Sequence, residues 1–302
     1  MKPIQLIGAP TDVGASIRGT SMGPEALRVA DIAGALARNG LQVTDLGNLT
    51  GPTNPGQQPI NGMRHLEEVV AWNAAVFHGA YEVLANGRMP LLMGGDHCLA
   101  IGSISAAARH CRESGKQLMV IWLDAHADAN TGSTSPTGNI HGMPVACLCG
   151  DGPEPLTTLS GAKPAMQPND IRQVGIRSVD PEEKRRLRQL GLPAFDMRFI
   201  DENGMRETMR QALAGVDANT HLHVSFDVDF LDSQIAPGVG TPVRGGPTYR
   251  ETHLALEMIA DTKALGSLDV LELNPARDIQ NQTAELVVEL LESVFGKSTL
   301  LR

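Results

Sequence analysis

Aromatic residues make up only 3% of this 302-residue chain, although 42% of it is hydrophobic, so a core is available without them. Cysteine is sparse too: Cys98, Cys111, Cys147 and Cys149 show neither a zinc spacing nor a disulfide framework. Cys147 and Cys149, two apart, are poorly placed to bridge each other. All four read as reduced structural thiols, which predicts a cytoplasmic protein. No basic run offsets the formal net charge of -9, which argues against nucleic acid as a partner. The charge serves solubility and is compatible with a cationic substrate. No apolar run reaches the roughly 20 residues of a membrane span, so no membrane partner is expected. The N-terminus enters a strand-like Ile4-Gln5-Leu6-Ile7-Gly8 without the basic and apolar segments of a signal peptide. No linker-like stretch and no internal repeat divides the chain, so a single domain over residues 1–302 is expected.

What is present is alternation. Strand-like runs fall near 4–7, 41–46, 90–93, 118–123, 172–176, 222–226 and 268–273. Helical patterns lie between them: one opened by Pro24, then 65–86, 99–113, one started by Asp180-Pro181-Glu182-Glu183, 202–214, 248–264 and 280–295. Such alternation predicts an α/β fold, a mostly parallel β-sheet with helices on both faces. Two stretches escape it. Residues 48–63, rich in Pro, Gly, Asn and Gln, read as a surface loop. Residues 129–142 form a polar loop downstream of a strand, where open α/β sheets place ligands.

Asp124-Ala125-His126-Ala127-Asp128 follows directly on the apolar run Leu118–Leu123. In extended chain, residues two apart point the same way, so these three side chains are expected to share one direction. Two carboxylates and an imidazole crowded together call for a cation. Asp227-Val228-Asp229 repeats the pattern after Leu222–Phe226. Gly94-Gly95-Asp96-His97 follows a third run, and Glu272 ends a fourth. In a parallel sheet these strand ends lie on one edge. Taken singly, each has a plainer reading: His97 as a capping or core histidine, Asp227 and Asp229 as turn residues, His141 as a solvated loop residue, Glu272 as a structural acid. Asp96 reads as structural, bonding the glycine turn or a ligand's outer nitrogen. The convergence of four strands is what points to metal. An oxygen-rich ligand set with some imidazole suits a hard or borderline divalent ion such as Mn²⁺, with Co²⁺ also compatible.

These motifs resemble the arginases, in the ureohydrolase superfamily of binuclear manganese enzymes. The matching stretches are GGDH (94–97), DAHADAN (124–130), SPTGNIHGMP (135–144), SFDVDFLD (225–232), GVGTPVRGGPTYRE (238–251) and LELNPARD (271–278). GAPTDVGA and MGPEALR, near the N-terminus, match as well. The resemblance spans nearly the whole chain and implies the three-layer α/β/α arginase/deacetylase-like fold. It implies two Mn²⁺ per chain. His97, Asp124, Asp128 and Asp227 would hold one and Asp124, His126, Asp227 and Asp229 the other, with Asp124 and Asp227 bridging. It further implies His141 as proton shuttle, Glu272 as guanidinium holder and Asp128 as proton carrier. Asn130, Ser135 and Thr137 would contact the substrate carboxylate, Asp180 the α-amino group, and Thr241 would line the pocket. Thr137 stands where many members have serine.

The implied reaction is hydrolysis of the L-arginine guanidinium to L-ornithine and urea by a metal-bridging hydroxide. Agmatinase, or another guanidino-acid ureohydrolase, shares the metal core but needs no grip on an α-carboxylate. The loop at 130–141 and Asp180 favour arginine. A non-enzymatic metal-binding protein on the same fold would be expected to lose a ligand, His141 or Glu272, and none is lost. A homo-oligomer, trimer or hexamer, is the implied assembly.

Overall fold

The computed structural model describes residues 2–298 and 300. In chain order its elements are β1 (Ile4–Ala9), α1 (Gly23–Val29), α2 (Ile32–Arg38), β2 (Val43–Asn48), α3 (Leu66–Ala85), β3 (Met89–Gly94), α4 (Ala100–Ser114), β4 (Gln117–Leu123), α5 (Pro144–Leu148), α6 (Glu154–Thr157), β5 (Ile171–Ile176), α7 (Pro181–Leu190), β6 (Ala194–Asp196), α8 (Met197–Ala212), β7 (Thr220–Asp227), α9 (Tyr249–Asp261), β8 (Leu265–Leu271) and α10 (Gln282–Val294). The strands form one eight-stranded sheet in the order β2-β1-β3-β8-β7-β4-β5-β6, and every pairing is parallel.

Alternation along each strand makes two cores. Met119, Ile121 and Leu123 of β4 face one way, with residues of α1, α2, α8, α9 and α10. Leu118, Val120 and Trp122 face the other, with α3, α4, α5 and α6. Helices therefore cover both faces, as a parallel sheet requires. On β7 this second face is polar: His221, His223, Ser225 and Asp227 are all buried there. The cost of burying them is offset by hydrogen bonds. Ser267 Oγ lies 2.9 Å from His221 Nε2 and 2.8 Å from His223 Nδ1, while His223 Nε2 meets Asp269 Oδ2 at 3.1 Å.

Differences from the sequence reading are local. β6 is three residues long and edges the sheet, too short to show a period. α2, α5 and α6 are short helices in alanine- or proline-containing stretches that carry no long amphipathic pattern. α8 starts at Met197, where Asp196 caps it, and is interrupted at Gly204 (φ 81°). Among the described residues no helix is long and apolar enough to cross a membrane.

Candidate metal centre and active site

Four adjacent strands, β3, β8, β7 and β4, end on one edge at the middle of the sheet. His97 follows β3, Asp124 to Asp128 follow β4, Asp227 ends β7 and Glu272 follows β8. Parallel pairing alone brings these segments together, and all six predicted metal ligands meet there.

The local route differs from the expectation of an extended chain. β4 stops at Leu123. Asp124 then accepts the His126 N–H at 2.6 Å on Oδ1 and the Trp122 indole N–H at 2.8 Å on Oδ2. Asp128 sits in the left-handed region (φ 49°). Asp227 likewise accepts the Asp229 N–H at 2.7 Å, and Asp229 lies in a short 3-10 turn. Both clusters are carboxylate-capped turns, not continued strands.

His97 is buried, and its Nδ1 lies 3.1 Å from Asp124 Oδ2, 3.1 Å from Asp128 Oδ2 and 2.9 Å from Asp227 Oδ2. His126 Nδ1 lies 3.1 Å from Asp229 Oδ2 and 3.5 Å from Asp124 Oδ1. Among the described residues two sets could hold an ion, His97–Asp124–Asp227 and Asp124–His126–Asp229, and Asp124 belongs to both. Burial, with Asp229 and Asp124 beside it, pushes the Asp227 carboxyl well above its ordinary value. Asp128 is raised to about 6 by burial and Asp124. Such mutual repulsion marks a site built around positive charge. His97 adds a sharper test. Its Nε2 pairs with Ser225 Oγ at 2.9 Å, whereas Nδ1 has no hydrogen-bond partner among the described residues despite being buried. With Nε2 donating to the serine, the Nδ1 lone pair faces three carboxylates, an arrangement a divalent cation satisfies. The residues fit a metal.

Beside the cluster, Glu272 is buried in a left-handed backbone position (φ 65°). Its Oε1 accepts the His97 N–H at 2.8 Å and pairs with His141 Nδ1 at 2.8 Å. Asp96 bonds the Gly14 and Cys98 N–H groups at 2.8 and 3.1 Å, the structural part expected of it.

A cavity of about 190 Å³ opens over the centre. His126, Asp128, Asp227, His141 and Thr241 line it, together with Asn130, Ser135, Thr137 and Asp180. Thr241 Oγ1 donates to Asp229 Oδ2 at 2.9 Å. Asp180 caps α7, accepting the Glu182 and Glu183 N–H groups at 2.9 and 3.0 Å, and its other oxygen takes the Asn130 amide at 2.7 Å. Burial would raise its carboxyl, yet these bonds hold it below the ordinary value. The polar loop 130–141 thus stands over the candidate metal ligands, with a fixed carboxylate at its rim.

A model of the Arginase family matches residues 2–296. This chain belongs to the arginase family. It is 42% identical to the arginase of Agrobacterium fabrum over 300 residues, covering 98% of this chain and 92% of that one. The structure of the Bacillus caldovelox arginase superposes with a TM-score of 0.93 at 40% identity, covering 99% of this chain and 100% of that one. The structure of a hypothetical agmatinase from Burkholderia thailandensis shares the fold at 24% identity and a TM-score of 0.74, with 97% and 85% of the two chains covered.

Against this arginase-family background the cavity holds polar residues that sequence reasoning missed. Asn139 lines it from within the SPTGNIHGMP stretch, where only its neighbours drew attention. Ser178 lines it too, paired in an isolated bridge with His126. Glu183 was legible only as a first-turn acid of α7. It is buried, accepts the Ala129 N–H at 2.8 Å, and burial raises its carboxyl to about 7. Glu272 itself lies outside the lining; His141, bonded to it, reaches the cavity.

Proposed function

We propose that this protein hydrolyses the guanidinium group of L-arginine, releasing L-ornithine and urea, with two Mn²⁺ ions per chain. His97, Asp124, Asp128 and Asp227 would hold one ion, and Asp124, His126, Asp227 and Asp229 the other. Ions held there supply the Lewis acidity that makes water nucleophilic near neutral pH. The carrying observation is the meeting, in one cavity, of the buried Asp/His cluster with a loop of hydroxyls and amides and with Asp180.

The guanidinium is always protonated and needs an anionic partner. Glu272 Oε1 is occupied by His97 and His141, which leaves Oε2 for the substrate. Glu272 is buried just outside the cavity lining, and its Oε2 lies beside Gly240. Asp128, at the cavity wall, would carry a proton from the attacking water to the leaving nitrogen. His141, partly open to the cavity and charged by Glu272, gives a proton to the leaving amine. Asn130, Ser135 and Thr137 bind the α-carboxylate, and Asp180 the α-ammonium group. The α-end contacts favour arginine over agmatine, which has no carboxylate to bind.

The four cysteines are free thiols and three are buried, which supports a reducing compartment, the cytoplasm. A homo-oligomeric trimer or hexamer built from a single-domain chain completes the reading. The test is a panel of arginine, agmatine and guanidinobutyrate with added Mn²⁺, scored by urea release beside elemental analysis and light scattering. Urea from agmatine alone would move the assignment to another ureohydrolase.

A further inference from the structure

We propose that Arg64 is a positioning residue for substrate selectivity, acting through Asn139. This rests on the reading above, in which the loop at 130–141 binds the substrate's α-carboxylate. The loop has little regular structure of its own, so something must hold it. The neighbouring loop before α3 does so. The Arg64 N–H donates to Gly138 O at 2.7 Å, and Arg64 Nε donates to Asn139 Oδ1 at 3.1 Å. Arg64 Nη1 bonds back to Gln57 O at 2.6 Å, which ties the guanidinium to its own loop. His65, buried next door, accepts the Gln57 N–H on Nε2 at 2.9 Å and reaches Val13 O with Nδ1 at 2.8 Å. The strap is therefore anchored to the segment after β1. It also touches the substrate loop backbone to backbone. A Cβ on Gly62 would fall 1.8 Å from Gly132 O, and one on Gly138 would fall 2.8 Å from Pro59 Cβ.

The consequence lies in the amide of Asn139. A guanidinium only donates, so the atom facing Arg64 must be the amide oxygen. That orientation fixes Nδ2 as the other end. One of its hydrogens goes to Ser16 Oγ at 3.0 Å, which leaves a second donor on a residue that lines the cavity. A donor suits a carboxylate; an amide oxygen in its place would repel it. Arg64 thus sets the polarity that Asn139 shows to the substrate, without itself lining the cavity.

The experiment compares Arg64→Ala and Arg64→Lys with wild type on arginine and agmatine at saturating Mn²⁺, and follows amide hydrogen exchange over residues 131–140. Arg64→Ala is expected to raise the arginine KM about 10-fold, the equivalent of one hydrogen bond, with kcat nearly unchanged. Agmatine kcat/KM should stay within about 2-fold, because agmatine lacks the group the loop reads. Exchange in 131–140 should quicken while α4 and β4 stay protected. Lysine keeps the charge but not the planar fork, so Arg64→Lys should resemble Arg64→Ala. Equal losses on both substrates, unchanged exchange, or full recovery by lysine would overturn the proposal. Gly62→Ala, which pushes on Gly132 from the same strap, should shift the arginine-to-agmatine ratio in the same direction; an unchanged ratio counts against it. A wild-type protein that does not prefer arginine would overturn the substrate assignment instead, and the exchange data would still report on the strap.

Discussion

One oxygen of Glu272 serves two partners: Oε1 pairs with His141 Nδ1 and accepts the His97 N–H, each at 2.8 Å. A proton-bearing group of the cavity is thereby tied to the backbone of a proposed metal ligand. Burial alone would lower the His141 imidazole, but the charges of Glu272, Asp96 and Asp128 outweigh it and raise the ring to about 9. The ordinary value is near 6.5. The folded value is the higher one, so the stabilisation from this pair is complete below about 6.5 and is lost as pH rises through about 9. Glu272→Gln removes the opposing charge and should move the His141 titration down, which ¹⁵N chemical shifts of the ring would follow. A ring that still titrates near 9 in that variant would exclude Glu272 as the cause.

Replacing His141 tests its task directly. His141→Asn should lower kcat by about 10²-fold, within the range for a general acid-base group. Metal content should stay at the wild-type level, because the ring faces Glu272 and not the metal cluster. Added imidazole should restore part of the rate. A variant that loses its metal would mean that a ligand had been mistaken for a shuttle.

The candidate ligand cluster was legible because its residue types are costly to bury together and recur after apolar runs. Parallel topology did the rest, since strands far apart in sequence end on one edge. The turns were not legible. Asp124 and Asp227 each cap their own turn, and Asp128 adopts a positive φ, so the side chains converge by a route that period-two reasoning does not describe. Asn139 and Glu183 escaped for another reason. Their place in the cavity depends on where a loop and a helix start are held in space, and local pattern carries no record of that. β6, three residues at the sheet edge, has too little apolar surface to leave a period.

The proposed sharing of Asp227 by both ions predicts unequal metal loss. If Asp227 bridges, Asp227→Asn removes charge from both sets and should leave the chain nearly free of metal and inactive. Asp229 is proposed for one ion only; in the structure Asp227 too falls in a single candidate set, and among the described residues Asp124 alone falls in both. Asp229→Asn should therefore keep about one ion per chain. Elemental analysis after dialysis distinguishes them. Equal retention in the two variants would remove the bridging role from Asp227.

Two glycines should respond to alanine in opposite directions. Gly95 packs against backbone: a Cβ there would lie 1.6 Å from Thr11 O, between segments joined by the Asp96 N–H to Thr11 O bond at 3.2 Å. Gly95→Ala should destabilise the fold by about 3 kcal/mol or more, as overpacking against atoms that cannot move. Gly79 lies inside α3, and its Cβ would meet Leu49 Cδ2 at 3.4 Å, an ordinary contact. Gly79→Ala should gain roughly 0.5–1 kcal/mol from helix propensity. Urea denaturation of both variants reads the signs, and a stable Gly95→Ala protein would contradict the close approach.

Specificity is the most demanding test, because the metal core would serve any guanidino substrate. A site built to bind a polar group rejects an analogue lacking it, since its own buried groups are left unpaired. Wild type should prefer arginine to agmatine by about 10³-fold or more in kcat/KM. Asp180 is the residue to vary, but it has two tasks. It caps α7 through Oδ1 and holds Asn130 through Oδ2. Asp180→Ala removes both and should cost about 1 kcal/mol of stability for the cap alone. Asp180→Asn keeps an N-cap, but it removes the charge and puts an amide donor where Oδ2 accepted the Asn130 N–H. If the carboxylate receives the α-ammonium group, both variants should weaken arginine binding, both should retain metal, and agmatine should be affected far less. Only Asp180→Ala should melt earlier. Equal slowing of the two substrates in Asp180→Asn would separate this residue from substrate recognition, and wild type that hydrolyses agmatine as well as arginine would leave only the broader ureohydrolase assignment.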